Sequence, residues 1–218
     1  MRMSHREDYS ECGNTPVKAI EVHGRAYHFS LFNSDYKPVP DEIEQVSVGK
    51  ATLRFFMGSD EIQKKFFAKV IRWDRFVGVR CADKLVGYAA IYRDGVGPYD
   101  AGLKDFIAEF GMLSGSFKFG LYRLFEMRYS RSECYLFKLY VSEEYRGKGL
   151  GESLIDFLFG ELKLRGLGSL DLEVYQKNEK AIRFYERLGF VTYKIFSIPL
   201  VGRFFPDSVV FKMRKDIK

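Results

Sequence analysis

The stretch VSEEYRGKGLGESLI, residues 141–155, decides how the fold of this chain is interpreted. A strand-like run, CYLFKLYV (134–141), precedes it. After it, leucines recur at four-residue intervals and form the apolar stripe of an amphipathic helix: Leu150, Leu154, Leu158 and Leu162. The pattern predicts a strand that runs through the glycine-rich turn RGKGLG into the first turn of a helix.

That turn is suited to bind an anion. The first amides of a helix have no intrahelical acceptor, and glycine, which has no Cβ, lets an anion approach the backbone closely. The helix dipole favours a negative group there by roughly 0.3–1 kcal/mol. Arg146 and Lys148 add full positive charges. We therefore predict a phosphate or diphosphate site, and a plain turn without a ligand is the alternative.

Two common phosphate-binding motifs do not match this turn. A Walker loop requires Ser or Thr after its lysine, whereas Gly149 follows Lys148 here. The dinucleotide fingerprint G-x-G-x-x-G requires a third glycine at the position that Glu152 occupies.

A second motif follows in LDLEVYQKNEKAIRFYERLGF, residues 170–190. Together the two motifs resemble those of the GNAT superfamily of acyl-CoA-dependent N-acyltransferases. The family's strand and R/Q-x-x-G-x-G/A motif is matched by Val141, Arg146, Gly149 and Gly151. Its second motif is matched in order and spacing by Asn178, Ala181, Tyr185, Gly189 and Phe190. The resemblance is specific over residues 134–194 and general over about 27–93.

The order of predicted elements agrees with that resemblance. A first strand at 27–32, helices from Asp41 and Ser59, and a hairpin at 76–92 precede the motifs, and strands at 190–196 and 208–213 end the chain. We expect Ile62, Phe66 and Val70 to line the core-facing side of the second helix. These elements predict an α/β (α+β) fold, a mixed and mostly antiparallel twisted sheet flanked by helices. Residues 1–20 are predicted to be a flexible segment, and residues 21–218 one domain.

Residues 94–133 depart from the family's usual short connection between these strands. Two helix-like pieces, 103–112 and 117–128, are separated by a break at Gly115. One interpretation is a cap over the acceptor site. The other is an added helical hairpin that enlarges the core or forms a homodimer contact. A membrane-surface helix is less favoured because acidic residues are mixed in.

The resemblance implies direct transfer of an acetyl group from acetyl-CoA to a primary amine. Backbone groups of the strand would hold the pantetheine, and the amides of the turn and helix start would hold the diphosphate. The implied cofactor-binding residues are Leu139, Tyr140, Val141, Arg146, Gly147, Lys148, Gly149, Leu150, Gly151, Glu152, Asn178 and Tyr185. Tyr185 is also the expected general acid, with a packed helix aromatic as its alternative role. Asn178 caps the following helix in either interpretation.

The general base is left open by the sequence. Histone-acetylating relatives carry Glu where this chain has Tyr135, so that role does not carry over. Glu133 would lie on the same side if the strand extends that far, and solvent is equally suitable. His5, His23 and His28 receive no role.

Three acceptor or partner interpretations stay open. The acceptor is a small-molecule amine, or it is a peptide amine, as in a protein N-terminal or lysine acetyltransferase. From a different class, the chain is a non-catalytic acyl-CoA sensor or interaction protein.

Composition restricts the remaining classes. The widely spaced Cys12, Cys81 and Cys134 favour reduced thiols in the cytoplasm over a disulfide framework. With three His and no clustered ligands, no metal is expected. The net charge of +6 suits an anionic partner, but without a block of Lys and Arg no nucleic acid is expected. No apolar run reaches the roughly 18 residues of a membrane span, and the charged, polar first twenty residues are not expected to act as a signal peptide.

Overall fold

The structure is a computed structural model that describes residues 17–22, 24–47, 53–129, 131–197 and 209–217. Within these residues the chain forms eight strands: β1 Val17–Val22, β2 Arg25–Leu31, β3 Phe76–Cys81, β4 Lys84–Arg93, β5 Cys134–Val141, β6 Ser169–Tyr175, β7 Val191–Ser197 and β8 Val209–Asp216. The helices are α1 Pro40–Val46, α2 Arg54–Met57, α3 Asp60–Phe67, α4 Leu103–Phe110, α5 Met112–Glu126, α6 Leu150–Leu164 and α7 Glu179–Arg187.

All eight strands belong to one sheet, in the order β1-β2-β3-β4-β5-β6-β8-β7. Neighbouring strands are antiparallel except β5 and β6, which are parallel and joined through α6. A parallel pair needs such a crossover because the chain must return to the same end of the sheet. This mixed, mostly antiparallel sheet with flanking helices confirms the predicted fold class.

β5 and β6 are paired along a short part of their length. Their paired residues are Tyr135 with Asp171 and Leu136 with Leu172, and no described residue pair joins them beyond that point. The register between β4 and β5 also shifts here, and Phe137 is the extra residue of a bulge. The C-terminal half of β5 therefore has β4 on one side and an open edge on the other.

Each face of the sheet carries its own core. The leucine stripe of α6 is buried against one face: Leu150, Leu154, Leu158 and Leu162. Aromatic side chains from α3, α4 and α5 pack with the strands on the other face, among them Phe66, Phe76, Tyr88, Phe106 and Tyr122. Because β3 and β4 contribute to both cores, they connect the two layers.

The structure corrects three predictions. The sequence showed no strand before residue 27, yet Val17–Val22 form β1 through a full ladder with β2, while residues 1–16 lie outside the described part. Ile62 is 42% exposed and does not belong to the core, unlike Phe66. Gly115 lies inside α5, and the break between α4 and α5 occurs at Gly111.

Other predictions agree with the structure. Ser59 caps α3 by accepting a hydrogen bond from the Ile62 amide at 3.4 Å. The hairpin, α6, β6 and α7 lie where the patterns placed them. β8 is formed by Val209–Asp216, and residue 208, the first of the predicted strand, lies outside the described part. In the described ranges, no helix has the length and apolarity needed to cross a membrane.

Candidate active site

The turn between β5 and α6 has a backbone that favours glycine. After a 3-10 turn at Glu143–Tyr145, Gly147 and Gly149 adopt φ values of +75° and +78°. Residues with a Cβ seldom adopt this left-handed region. A Cβ at either position would meet no atom within 4 Å, so crowding is not the reason for these glycines. They are explained by the conformation, which also leaves the backbone accessible.

The N-terminus of α6 presents amides without intrahelical acceptors. Gly149 is the N-cap and provides no side-chain cap, and the Ser153 amide is the one that bonds to its carbonyl, at 3.0 Å. The amides of Leu150, Gly151 and Glu152 belong to the first turn, where no preceding helical carbonyl is within reach. α6 has fifteen residues and begins with free amides beside a glycine turn, which suits it to bind an anion.

The two basic side chains of the turn lie at its rim. Arg146 is largely exposed, and its Nε donates to the carbonyl of Val141 at 3.0 Å. Its Nη1 is 3.4 Å from a carboxylate oxygen of Glu143. The Nζ of Lys148 lies 4.9 Å from the ring centroid of Tyr145. Arg146 therefore ties the turn to the end of β5, while both residues add positive charge beside the free amides.

The three segments selected by the two motifs meet at Gly151. A Cβ at this position would lie 3.5 Å from Cζ of Phe184 in α7 and 3.9 Å from Cδ2 of Leu139 in β5. Glycine thus allows α6, α7 and β5 to approach one another. The open edge of β5, formed by Leu139, Tyr140 and Val141, lies at this junction.

α7 positions the two candidate site residues of the second motif, Asn178 and Tyr185. Asn178 caps the helix, and its Oδ1 accepts a hydrogen bond from the Ala181 amide at 3.2 Å. The half-buried ring of Tyr185 packs edge-on against Phe184 and Phe190, with centroid distances of 5.1 and 5.5 Å. Burial raises the pKa of Tyr185 well above its usual range, so the phenol stays protonated at neutral pH. No described residue hydrogen-bonds to its hydroxyl.

A cavity of about 490 Å³ borders the C-terminal half of β5 on the side opposite α6. α1, α3 and β5 supply most of its lining, and the described residues of 94–133 supply none: the lining residues are Asp41, Glu44, Gln45, Ser47, Asp60, Lys64, Lys84, Lys138 and Tyr140. The α4–α5 hairpin therefore does not cover this cavity. Its buried aromatic residues instead enlarge the core beside α3.

Lys138 in this cavity was not singled out from the sequence. Its Nζ lies 5.5 and 5.6 Å from the ring centroids of Tyr88 and Tyr140. Burial, together with the positive charge of Lys64, lowers the pKa of Lys138 to about 8. A signal was present, because Lys138 is the one charged residue of CYLFKLYV.

Two carboxylates near β5, those of Glu133 and Glu173, are committed to other contacts. β5 begins at Cys134 and does not extend to Glu133, whose Oε2 accepts from the Gly168 amide at 2.8 Å. That places Glu133 about 20 Å along the strand from Leu139, so it cannot remove a proton there. Glu173 is buried, with its Oε2 3.6 Å from Nη2 of Arg128. Glu173 is therefore already paired with Arg128.

A second cavity, of about 680 Å³, lies apart from this junction. It is bordered by the C-terminal half of α6 and by β7 and β8, including Lys163, Tyr193 and Arg214. Arg214 is already engaged there, because it forms two hydrogen bonds with the buried Asp171 at 2.6 and 3.0 Å. This cavity takes no part in the arrangement around Gly151.

A sequence model of the acetyltransferase (GNAT) family matches residues 50–190, which is more than half of the chain and includes both motifs. The chain belongs to the GNAT family. Members of this family are acetyltransferases that use acetyl-CoA. The crystal structure of Ard1 from Thermoplasma volcanium agrees with the GNAT fold seen here. It has a TM-score of 0.51 at 19% identity, over 84% of this chain and 96% of that one.

Two curated GNAT-like relatives differ in the acceptor that they are named for. The ribosomal protein bS18-alanine N-acetyltransferase of Escherichia coli (strain K12) is 45% identical over 58 residues, 27% of this chain and 39% of that protein. The spermine/spermidine N(1)-acetyltransferase of Bacillus subtilis is 31% identical over 81 residues, 37% of this chain and 53% of that protein. The chain thus spans about two fifths to one half of the length of these relatives.

Proposed function

We propose that this protein is an N-acetyltransferase that moves the acetyl group of acetyl-CoA directly to a primary amine. The observation that carries this proposal is the junction at Gly151, where free helix amides, an open strand edge and α7, the helix that carries Tyr185, come together. The thioester of acetyl-CoA supplies the acetyl group, and the protein supplies orientation, which is worth roughly 7–11 kcal/mol in favourable cases.

The residues at the junction fit coenzyme A in both charge and shape. The amides between Arg146 and Glu152 would receive the diphosphate, aided by the charges of Arg146 and Lys148. The open edge at Leu139, Tyr140 and Val141 would bind the pantetheine amides as an added strand would. Asn178 would face the same molecule while it caps α7. The full set would be Leu139, Tyr140, Val141, Arg146, Gly147, Lys148, Gly149, Leu150, Gly151, Glu152, Asn178 and Tyr185.

Tyr185 would act as the general acid. Its raised pKa keeps the proton on Oη, so the hydroxyl can donate a hydrogen bond to the leaving sulfur. A thiol has a pKa near 8.5, lower than that of the phenol, so full transfer of the proton to sulfur is uphill and is completed only as Oη regains a proton from solvent. This donation favours departure of the thiolate, a contribution typically worth about 10²–10⁴-fold.

Lys138 would supply the base that the sequence left open. An acceptor amine with a pKa near 10.4 must lose a proton before it can attack. A lysine with a pKa of about 8 is partly neutral near physiological pH and can accept that proton at Nζ. Its place in the cavity beside Tyr140 puts it on the side of β5 from which an acceptor can approach.

The acceptor would enter the 490 Å³ cavity, whose size suits a small amine. Similarity to the bS18-alanine N-acetyltransferase favours a peptide N-terminus as the second candidate. The free thiols of Cys81 and Cys134 support a cytoplasmic enzyme, and Cys12 lies outside the described residues.

Thiol release from acetyl-CoA tests the proposal across polyamines, aminoglycosides and peptides with free N-termini or lysines. We expect turnover with at least one of these classes. Tyr185→Phe should lower kcat by about 10²–10⁴-fold, while acetyl-CoA still binds. Unchanged kcat would remove Tyr185 from the mechanism. Binding of acetyl-CoA without turnover for any acceptor would instead favour a non-catalytic sensor.

A further inference from the structure

The outer face of α5 carries a row of apolar side chains that the described chain leaves exposed. Leu113, Phe117, Leu124 and Met127 are 88%, 69%, 62% and 64% exposed, and exposed Gly120 lies between them. Intervals of four, three, four and three residues keep all five on one side of the helix. We call these five residues the α5 seam. Single exposed apolar residues are ordinary, but a contiguous row indicates an interaction surface.

The seam is almost free of charge. Of the eight exposed residues within α5, Arg123 alone is charged, and its Nη1 is 2.8 Å from Oε2 of Glu126 in the same helix. Lys118 turns inward, where its Nζ donates to the carbonyl of Phe56 and lies 4.7 Å from the ring centroid of Phe110. A helix that binds an anionic membrane presents Lys and Arg beside its apolar face. The α5 seam lacks that border and is suited to another apolar protein surface.

No contact with another described residue explains Gly120. Glycine in a helix interior is unfavourable, so a structural reason is expected for it. For Gly115 the reason is visible, since a Cβ there would lie 2.4 Å from the carbonyl oxygen of Phe106 in α4. At Gly120 a Cβ would meet nothing within 4 Å. A glycine that faces outward at the middle of an apolar row allows a second helix to approach closely.

We propose that the α5 seam binds the α5 seam of a second copy of this chain, antiparallel and with Gly120 at the crossing point. The positions of the seam are nearly symmetric about residue 120: Leu113 and Met127 lie equally far from it, and Phe117 and Leu124 lie three residues before and four after it. Antiparallel pairing therefore sets Phe117 against Leu124 and Leu113 against Met127, and repeats both contacts through the two-fold axis. A two-fold interface requires this self-complementarity, whereas an unrelated partner does not.

The available area agrees with a dimer. Met112, at 75% exposure, extends the seam at one end, and Phe55, at 47%, adjoins it through a ring contact of 5.8 Å with Phe125. Together with the seam they expose on the order of several hundred Å² per copy, against the roughly 800 Å² that each partner contributes to a standard interface. A surface of this kind explains why the chain carries the 94–133 hairpin although none of the described residues of that segment lines the cavity.

The interface also acts on the candidate site. The inner face of α5 packs on α3 through Tyr122 and Phe67, whose ring centroids are 6.1 Å apart. α3 in turn supplies Asp60 and Lys64 to the cavity wall. Two paired α5 helices would support α3 on the side away from the cavity, which makes the cavity wall more rigid.

Sedimentation velocity of the full chain over a range of concentrations tests the pairing. We expect a reversible dimer that Leu124→Glu or Phe117→Lys weakens at least tenfold in Kd. In the double variant Phe117→Lys with Leu124→Glu, the two charges face each other across the axis and restore association in low salt. A wild-type chain that stays monomeric at all concentrations would overturn the proposal, and so would a dimer that ignores both single substitutions.

Gly120→Ala separates this role from simple helix stability. Alanine should raise the Tm of the monomer because it is the better helix former, yet weaken the dimer at least tenfold because its Cβ forces the two helices apart. Gly160→Ala is the matched control, since Gly160 is exposed in α6 with nothing within 4 Å of its missing Cβ. It should raise the Tm without changing association. Equal dimer Kd values for the two alanine variants would contradict the crossing at Gly120.

Binding to phosphatidylglycerol vesicles tests a lipid surface as the alternative partner of the α5 seam. We expect no sedimentation of the wild-type chain with vesicles beyond that of Leu124→Glu. Vesicle binding that depends on Leu124 in a monomeric protein would assign the seam to a lipid surface and overturn the proposal. Neither outcome depends on acetyl transfer, so failure here leaves the proposed enzyme activity standing.

Discussion

Lys138 lies in β5 with its ammonium group against two tyrosine rings and no described carboxylate in hydrogen-bond contact. Its folded-state pKa of about 8 is below the 10.5 of the unfolded chain, so the folded protein binds fewer protons between these values. Burying Lys138 therefore costs stability below about pH 8, and the cost fades as the pH rises toward 10.5. Retention of such a residue in a cavity points to a chemical role.

Lys138→Met should make the protein more stable and less active. At pH 7 we expect a gain in the free energy of unfolding of up to about 3 kcal/mol, which shrinks below about 1 kcal/mol at pH 10. Turnover should fall by about 10²-fold or more, since the base is lost. Urea denaturation at both pH values and steady-state assays measure the two effects.

Lys65→Met is the control for this prediction, because Lys65 is exposed on α3 and does not line the cavity. It should change neither the stability difference between the two pH values nor the turnover. Full turnover in Lys138→Met would exclude Lys138 as the base. A stability difference that does not vary with pH would contradict the burial of its charge.

The residue scale also shows what the sequence could not provide. Strict alternation along β5 would put Lys138 on the α6 side with Leu136. The bulge at Phe137 moves Lys138 to the opposite face of the sheet. A bulge cannot be predicted from the local sequence pattern. The glycines of the turn could be predicted from the sequence, because the turn itself requires a positive φ at Gly147 and Gly149.

At the scale of elements, α4 and α5 show how one residue type serves two purposes. Gly111 adopts φ +79° and separates the helices, whereas Gly115 continues α5 and lets it pack on α4. Poor helix propensity made Gly115 the expected break. The sequence could not reveal that its function is close contact, because that contact depends on where α4 crosses α5. The prediction that Ile62 lies in the core was wrong for the same reason, since the exposure of a side chain depends on which neighbours cover its helix.

Gly115→Ala should destabilise the protein by about 1–3 kcal/mol. The new Cβ would lie within 3 Å of backbone atoms of Phe106 and Ile107, which cannot move as a flexible side chain does. The gain in helix propensity, about 1 kcal/mol, does not offset this clash. Chemical denaturation, read as the change in Cm at constant m, measures the effect. With Gly160→Ala as the unhindered comparison, an equal gain in stability for both variants would contradict the close α4–α5 contact.

For the whole molecule, the sequence predicted the sheet type from the order of elements and from the family resemblance. It could not show that β8 lies between β6 and β7, or that β5 and β6 part after two residue pairs. Both depend on long-range pairing, which a local period of two does not encode. We propose that residues 17–218 form one domain, because β3 and β4 belong to both cores. This moves the predicted boundary at residue 20 to include all of β1.

The separation of β5 and β6 after two residue pairs is the feature of the sheet on which the candidate site depends. It opens a strand edge next to the amides of α6, and the glycines of the turn keep those amides accessible. The central claim is that these backbone amides hold the diphosphate of coenzyme A.

Amide chemical shifts followed by NMR during titration with coenzyme A test that claim most directly. We predict that the largest shift changes fall on the amides of residues 147–152, and that pantetheine, which lacks the diphosphate, leaves them nearly unchanged. Tight binding of coenzyme A without perturbation of these amides, or no binding at all, would contradict the account.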